Sequence, residues 1–300
     1  MAHIPVLLKE AVDGLSLHEG MIVLDATLGG GGHSKKICEI IGSKGTLIAT
    51  DEDNAAINRT RELFKDKCNF QLFVANFKDL GDILDNANIP AIDAVIFDLG
   101  LSSFQLEDSG RGFSFQKNEP LLMTFSENPS SEKLTAGEIV NNWEENNLAD
   151  IIFGYGGERY ARRIARVIVE TRETKPIKTT YDLVEAIEKA VPAPYKRKRI
   201  HFATKTFQAL RITVNDEIGS LKKALNESWK KLKIGGMISV ISFHEIEDRV
   251  VKNFLRDKKN NKEAEILTKK PMVPTEEEML ENPRSRSAKL RIGKKINAFV

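Results

Sequence analysis

The sequence predicts a doubly wound α/β domain interrupted by a helical insertion, and three observations carry that reading. Over 1–100, short apolar runs alternate with amphipathic segments, as βα units on a parallel sheet do. A glycine run, Gly29-Gly30-Gly31-Gly32, stands directly between the first apolar run and the first amphipathic segment. From about Ser109 to Thr206 the β-branched runs stop and helical periodicity takes over, after which the alternation resumes.

Strands are expected at Met21–Asp25, Gly45–Thr50, Asn69–Ala75 and Ala94–Phe97. Between them Ser34–Ile41, Asn54–Phe64 and Leu80–Ala87 space apolar residues at a helical period, which packs them on the sheet faces. Glu158–Glu170 and Thr180–Val191 are the clearest amphipathic helices of the insertion. A helix at Glu217–Leu232, a turn at Lys233–Gly236, a strand at Met237–Ser242, a helix at Glu247–Lys258 and a final strand near Ala288–Lys294 follow. The late strand covers an edge that the first four would leave open. Lys258–Lys270 is charged and reads as a solvated loop or irregular segment. The expected domains are 1–108 with 207–300, discontinuous, and an inserted helical domain at 109–206.

A chain of 300 residues with 41% hydrophobic and 29% charged content excludes collagen-like and disordered classes. No stretch approaches the roughly 18 apolar residues of a spanning helix. Met1–Glu10 mixes charge with a short apolar run where a signal peptide needs an apolar core, so a cytoplasmic location is expected. Cys38 and Cys68 have no His or Cys at ligand spacing nearby, so they are expected as buried, reduced thiols with neither a disulfide nor a zinc site. Lys+Arg number 45 against 43 Asp+Glu, a net +2, so a polyanionic partner would have to be met by local patches.

The strand-to-helix glycine turn lies where open α/β sheets bind ligands. Glycines permit the tight turn and let a ligand approach the backbone, and the helix N-terminus offers unpaired N–H groups. A plain flexible turn is the alternative. Asp51 ends the second strand about 20 residues later, where a carboxylate accepts both ribose hydroxyls of a nucleoside; otherwise it caps the next helix. The spacing Asp25-x-x-x-Gly29-x-Gly31 and the missing third glycine of the dinucleotide fingerprint favour a mononucleoside such as S-adenosylmethionine over nicotinamide. Asn76-Phe77 after the third strand would set an aromatic beside the adenine, although Phe77 reads equally well as core, and Asp98 after the fourth would face the methyl group.

Several long blocks in order give a more specific signal. They are His3-Ile4-Pro5-Val6-Leu7, Gly31-Gly32-His33-Ser34, Asn76-Phe77, Asp98-Leu99-Gly100-Leu101-Ser102-Ser103-Phe104-Gln105-Leu106, Gly110-Arg111-Gly112-Phe113-Ser114-Phe115, Phe207-Gln208-Ala209-Leu210-Arg211-Ile212, Ser242-Phe243-His244-Glu245-Ile246-Glu247-Asp248-Arg249 and Arg286-Ser287-Ala288-Lys289-Leu290-Arg291. In these the chain resembles, over nearly its full length, the bacterial 16S ribosomal RNA cytosine-N4 methyltransferases. The resemblance implies a Rossmann-like class I methyltransferase fold with an inserted helical domain for substrate recognition. It implies S-adenosyl-L-methionine contacts at Gly31, Gly32, His33, Asp51, Phe77, Asp98 and Gln105. It also implies methylation of a decoding-region cytosine of 16S rRNA presented within the small ribosomal subunit. Where that family reads an Asp-rich Pro-Leu-Asp-Met-Arg-Met-Asp block, this chain has Asn118-Glu119-Pro120-Leu121-Leu122-Met123-Thr124-Phe125-Ser126, so no role carries over to 122–126.

Methylating an exocyclic amine requires its ring-delocalised lone pair to be localised and held in line with the methyl group. Asp98 is the first catalytic candidate, with cofactor binding and amine orientation both open. The Asp/Asn-Pro-Pro-aromatic motif of other amino methylases is replaced by Asp98-Leu99-Gly100-Leu101. His244 and Glu247, just past the late strand, are the other catalytic candidates; His244 would bond RNA or relay a proton with Glu247 orienting it, against a capping cluster in which Asp248 and Arg249 pair. Phe113 or Phe115 would receive a base leaving its stack; otherwise the two anchor a loop. Arg159, Arg162, Arg163 and Arg166 recur at helical spacing, Lys196-Arg197-Lys198-Arg199 is a compact run, and Arg284, Arg286, Lys289 and Arg291 would extend a phosphate track. Beyond the 16S rRNA of the small subunit, a homodimer is a candidate partner; no metal is expected, and no membrane. A nicotinamide oxidoreductase and a non-catalytic RNA-binding assembly factor that keeps the cofactor fold are the competing readings.

Overall fold

The computed structural model describes residues 4–127 and 133–297, so His3 of the first shared block lies outside the described residues. Along the chain run α1 (Leu8–Asp13), β1 (Ile22–Asp25), α2 (Gly32–Ile41), β2 (Thr46–Asp51), α3 (Asn54–Thr60), β3 (Asn69–Val74), α4 (Leu80–Asn86) and β4 (Ile92–Asp98). Then come α5 (Ser103–Glu107), α6 (Ala136–Asn142), α7 (Glu145–Gly154), α8 (Ala161–Thr174), α9 (Thr180–Ala190), α10 (Ala193–Lys196) and α11 (Thr204–Asn215). The chain closes with α12 (Glu217–Lys231), β5 (Leu232–Ser242), α13 (Glu245–Asn260), β6 (Ala264–Ile266), α14 (Glu276–Glu281) and β7 (Lys289–Lys295). It divides into two compact units, Met1–Leu101 with Ile218–Val300, and Ser102–Glu217. The expected junctions at 108/109 and 206/207 fall inside the second unit, because α11 packs on α6 and α7.

In the first unit the described strands form a seven-stranded sheet ordered β3-β2-β1-β4-β5-β7-β6. β1 to β5 are mutually parallel and β7 runs antiparallel between β5 and β6. Each central strand is apolar on both faces, as a doubly covered parallel sheet requires. Val23, Leu47, Ala49 and Ile96 pack on one side with Val12 of α1, Ile37 of α2 and Ile57 of α3. Their neighbours Leu24, Ile48, Val95 and Phe97 pack on the other with Leu84 of α4, Trp229 of α12 and Leu255 of α13. Because β1, β2, β4 and β5 run parallel, their carboxyl ends lie on one rim.

Two expectations give way here. Lys233–Gly236 is a bulge inside β5: Ile92 pairs with Leu232 and Ala94 with Met237, the intervening residues looping out through Gly235 at φ 87°. Lys258–Lys270 is irregular over 261–263 and 267–270, with the end of α13 and the short β6 on either side of the first stretch. Buried Glu263 takes hydrogen bonds from Lys258 Nζ at 2.9 Å and Trp229 Nε1 at 3.1 Å. Cys38 and Cys68 are joined as a disulfide with Cα atoms 5.2 Å apart, because α2 lies over the sheet beside the entry to β3, a proximity that linear spacing conceals.

The elements described in the second unit are helices, α5 to α11, and three of them, α5, α6 and α9, open at capping boxes. Thr135 with Glu138 opens α6 and Thr179 with Asp182 opens α9, each as a reciprocal capping box. Asn141 ties α6 to the approach of α9, donating to the Ile177 carbonyl and accepting from the Ile177 N–H. Among the described residues no helix is long and apolar enough to cross a membrane.

Candidate active site

Three aspartates end adjacent strands at the rim of the first unit: Asp25 on β1, Asp51 on β2 and Asp98 on β4. Asp25 sits beneath the glycine turn, accepting the Ser34 hydroxyl at 2.6 Å and the Thr27 N–H at 3.0 Å. Burial pushes its carboxyl above the usual range despite those donors. Asp51 accepts the N–H groups of Gly29 and Asp53, both at 2.8 Å, and so pins the glycine turn. Capping of α3 falls to Asp53, which accepts the Ala55 N–H, and not to Asp51. Burial, with Asp53 and Asp25 nearby, raises Asp51 to about 6 against those hydrogen bonds.

Gly31 is the N-cap of α2 at φ 74°, a left-handed conformation that disfavours a side chain. A Cβ there would stand 2.9 Å from Thr60 Cγ2, and one on Gly32 would stand 2.2 Å from Pro5 Cγ. Close packing on the protein side constrains both glycines, and at Gly31 the turn adds to it.

Asp98 is held by its backbone, whose N–H donates to Thr27 Oγ1 at 2.6 Å. Its side chain keeps 20% of its surface, yet Oδ1 is buried with no hydrogen-bond partner. Oδ2 lies 3.5 Å from Nδ1 of His33, whose Nε2 is 3.1 Å from the Val6 carbonyl. Burial raises the Asp98 carboxyl well above the usual range, with the charges of Asp25 and Glu247 adding to it, and burial lowers His33. Phe77 is half-buried and meets Phe97 edge-on at 6.2 Å, while Asn76 caps its turn and donates to Glu52 at 2.6 Å. Thr27 and Ser34, which hold Asp98 and Asp25, went unread in the sequence; their spacing from Asp25 is the only signal they leave.

His244 and Glu247 form the cap of α13 at the end of β5. Nδ1 of His244 accepts the Glu247 N–H at 3.3 Å, and Glu247 Oε2 accepts the N–H groups of Phe243 and His244. Nδ1 is thus engaged in capping, while Nε2 lies 3.2 Å from Glu247 Oε1. Asp248 pairs with Arg291 at 2.6 and 3.1 Å, not with Arg249. Arg291 is buried and Lys289 is 2.5 Å from Glu245, so neither extends a phosphate track as expected, whereas Arg284 and Arg286 are exposed.

In the second unit Gln105 is buried and closes its own capping box, its Oε1 accepting the Ser102 N–H at 3.0 Å. Phe113 is an anchor, stacked on Phe125 at 5.9 Å, while half-buried Phe115 stacks on exposed His201 at 4.4 Å. The divergent 122–126 block is gripped through its backbone: Arg111 donates to the carbonyls of Thr124 and Phe125, and Asn215 bonds Met123 and Phe125. Side-chain charge there is not what holds it. Arg159, Arg162, Arg163, Arg166, Arg197, Lys198 and Arg199 are exposed. Arg159 lies 5.2 Å from the Tyr195 ring centre, as does Lys198, and the Tyr195 hydroxyl donates to buried Glu158 at 2.5 Å. That Tyr195–Glu158 hub, signalled only by an aromatic just before a basic run, joins two patches that are far apart in sequence.

A family model described as the MraW methylase family matches residues 1–296. Ribosomal RNA small subunit methyltransferase H of Persephonella marina is 45% identical over 98% of this chain and 99% of that protein. The proteins of the same name from Clostridium botulinum strain Kyoto and Halothermothrix orenii are 43% and 42% identical, over 98% and 99% of this chain and 99% of each relative. Among solved structures, an rRNA methylase from Streptococcus thermophilus aligns at 13% identity with a TM-score of 0.46, covering 99% of this chain and 100% of that one.

Proposed function

Since the chain belongs to the MraW methylase family, we propose that it methylates the exocyclic N4 of a cytosine in the decoding region of 16S ribosomal RNA. It is an S-adenosylmethionine-dependent rRNA methyltransferase of Rossmann-like fold, and the match along 1–296 is the observation that carries this reading. The substrate of the proposal is the small ribosomal subunit, met in the cytoplasm.

The rim residues fit the cofactor. Asp98 Oδ1 is a buried acceptor in want of a donor, and a bound cation supplies one. Asp51 offers a carboxylate whose position is fixed by the turn it pins. We assign the cofactor site to Gly31, Gly32, His33, Asp51, Phe77 and Asp98. When bound, S-adenosylmethionine supplies an electrophilic sulfonium methyl. The chain's part is to bind and orient: Thr27 and Asp25 set the height of Asp98, and the cap made by His244 and Glu247 fixes the loop that follows β5. Those two are positioning residues in this scheme. The exposed bases around Tyr195 contact RNA phosphate, and Phe115 with His201 offers rings for a base leaving its stack.

The test is to incubate the protein with S-adenosylmethionine and small subunits lacking the modification, then to quantify nucleosides by mass spectrometry. N4-methylcytidine is expected. Its absence, with cofactor bound and a related enzyme active on the same particles, would transfer the assignment to a non-catalytic binder or another target.

A further inference from the structure

The pair His33–Asp98 presents a proton-counting problem. Val6 offers His33 a carbonyl oxygen, which only accepts, so Nε2 at 3.1 Å carries a hydrogen. In a neutral ring Nδ1 then bears a lone pair, and Nδ1 lies 3.5 Å from Asp98 Oδ2. Two acceptors this close in a buried site repel, and a proton carried on Nδ1 or on Oδ2 relieves that repulsion.

The surroundings favour keeping that proton. The charge of Asp25 on β1 acts on both His33 and Asp98, Asp51 on β2 also feels the charge of Asp25, and the charge of Glu247 at the start of α13 acts on Asp98; each is a further carboxylate. His244, on the same cap, is turned to Glu247 through Nδ1. Independently of this, the other Asp98 oxygen, Oδ1, is buried without a partner. The pair has one oxygen committed to a proton and the other aimed at a donor that the protein does not provide.

We propose that His33 and Asp98 share one proton in the ligand-free protein, and that docking of the cofactor's methionyl ammonium at Asp98 Oδ1 expels it. The proton leaves to solvent, His33 keeps its Nε2 hydrogen, and the carboxylate left behind is neutralised by the ammonium. Cofactor loading is then coupled to proton release, with His33 as the residue that holds Asp98 neutral between turnovers. This rests on the cofactor assignment made above.

Titration calorimetry of the full chain with S-adenosylhomocysteine, in phosphate and in Tris at about pH 6.5, reads the proton directly through the different ionisation enthalpies of the buffers. Close to one proton released per ligand is expected, with the dissociation constant rising up to about tenfold per pH unit as pH falls. Methylthioadenosine, which has the nucleoside and the thioether but no amino-acid group, should release none. The 15N signal of His33 Nδ1 should move toward that of a bare imine nitrogen on saturation with S-adenosylhomocysteine. Equal enthalpies in both buffers, an unmoved Nδ1 signal, or equal release with methylthioadenosine would each overturn the shared proton. Asp98→Asn separates this from the underlying assignment: unchanged affinity for S-adenosylhomocysteine would remove Asp98 from the cofactor site, whereas weakened affinity with buffer-independent wild-type enthalpies would leave the site standing and sink only the proton.

Discussion

Asp25, Asp51 and Asp98 are sunk at strand ends in the first unit, whereas Arg159, Arg162, Arg163 and Arg197 stand in solvent in the second. The buried acids are few, and their oxygens are assigned donor by donor: Ser34 and Thr27 to Asp25, Gly29 and Asp53 to Asp51. Among the exposed bases Arg159 and Lys198 lie over the Tyr195 ring, and Arg159 also donates to the Tyr160 hydroxyl. Charge in a low-dielectric site is strong and specific, and exposed charge is screened and additive. One substitution in the first unit should therefore act like a switch, and several in the second should act like a dial.

The sharpest test of that contrast is Asp98→Ala. It should lower methyl transfer by at least about 100-fold, as removal of a preorganised charged group in a site does. Thermal unfolding should stay close to wild type, because the deleted carboxyl has an unpartnered buried oxygen to lose. Turnover measured under saturating cofactor and found undiminished would erase the distinction between the two kinds of charge.

Next comes Gly32→Val, which asks whether the turn is built for packing. Its new Cβ would stand 2.2 Å from Pro5 Cγ, so the segment before α1 must shift, at about 1–3 kcal/mol of overpacking. Urea unfolding should show it, and an unchanged midpoint would mean that Pro5 yields freely. On the dial side, replacing Lys196, Arg197, Lys198 and Arg199 together with alanine should weaken RNA binding about tenfold and flatten its salt dependence. Arg159→Ala alone should cost only a few-fold. Filter binding across a salt series checks both, and an affinity indifferent to the fourfold change would make that run a solvated face.

The same contrast explains what could be read from sequence. The sheet was legible because strands such as Val23-Leu24 and Val95-Ile96 are apolar on both faces, and because a glycine turn marks its ligand end. Asp51 and Asp98 were legible because each ends a strand. Their supports were not: Thr27 and Ser34 act through side-chain oxygens that any turn residue of that type carries. β6 was hidden by its brevity, and the Asp248–Arg291 pair by an adjacent arginine that looked like the nearer partner. Tertiary pairing decides such cases, and a linear reading assigns charge to neighbours in sequence instead. The 38–68 disulfide shows the same failure, since the two cysteines meet only once α2 lies over the sheet.

The smallest effect expected is the most diagnostic of how buried acid differs from exposed base. Asp51 is raised from 3.8 to about 6. For an acid whose folded value lies above its unfolded one, the native state binds the extra proton between those values, so its contribution to stability falls as pH rises through that window. At neutral pH the ionised Asp51 is therefore a standing cost to the ligand-free protein. A two-unit shift corresponds to at most about 3 kcal/mol, and partial exposure reduces that to about 1 kcal/mol. Asp51→Asn gives up one of the two acceptors that hold the Gly29 and Asp53 N–H groups, a loss common to all pH values, so its melting temperature relative to wild type should be about 2–4 °C more favourable near pH 8 than near pH 4 in the ligand-free protein, with cofactor affinity lost at both. A difference from wild type that is the same at pH 8 and at pH 4 would place Asp51 with the solvated charges, and the strand-end carboxylates would no longer be held in their sites against their own electrostatics.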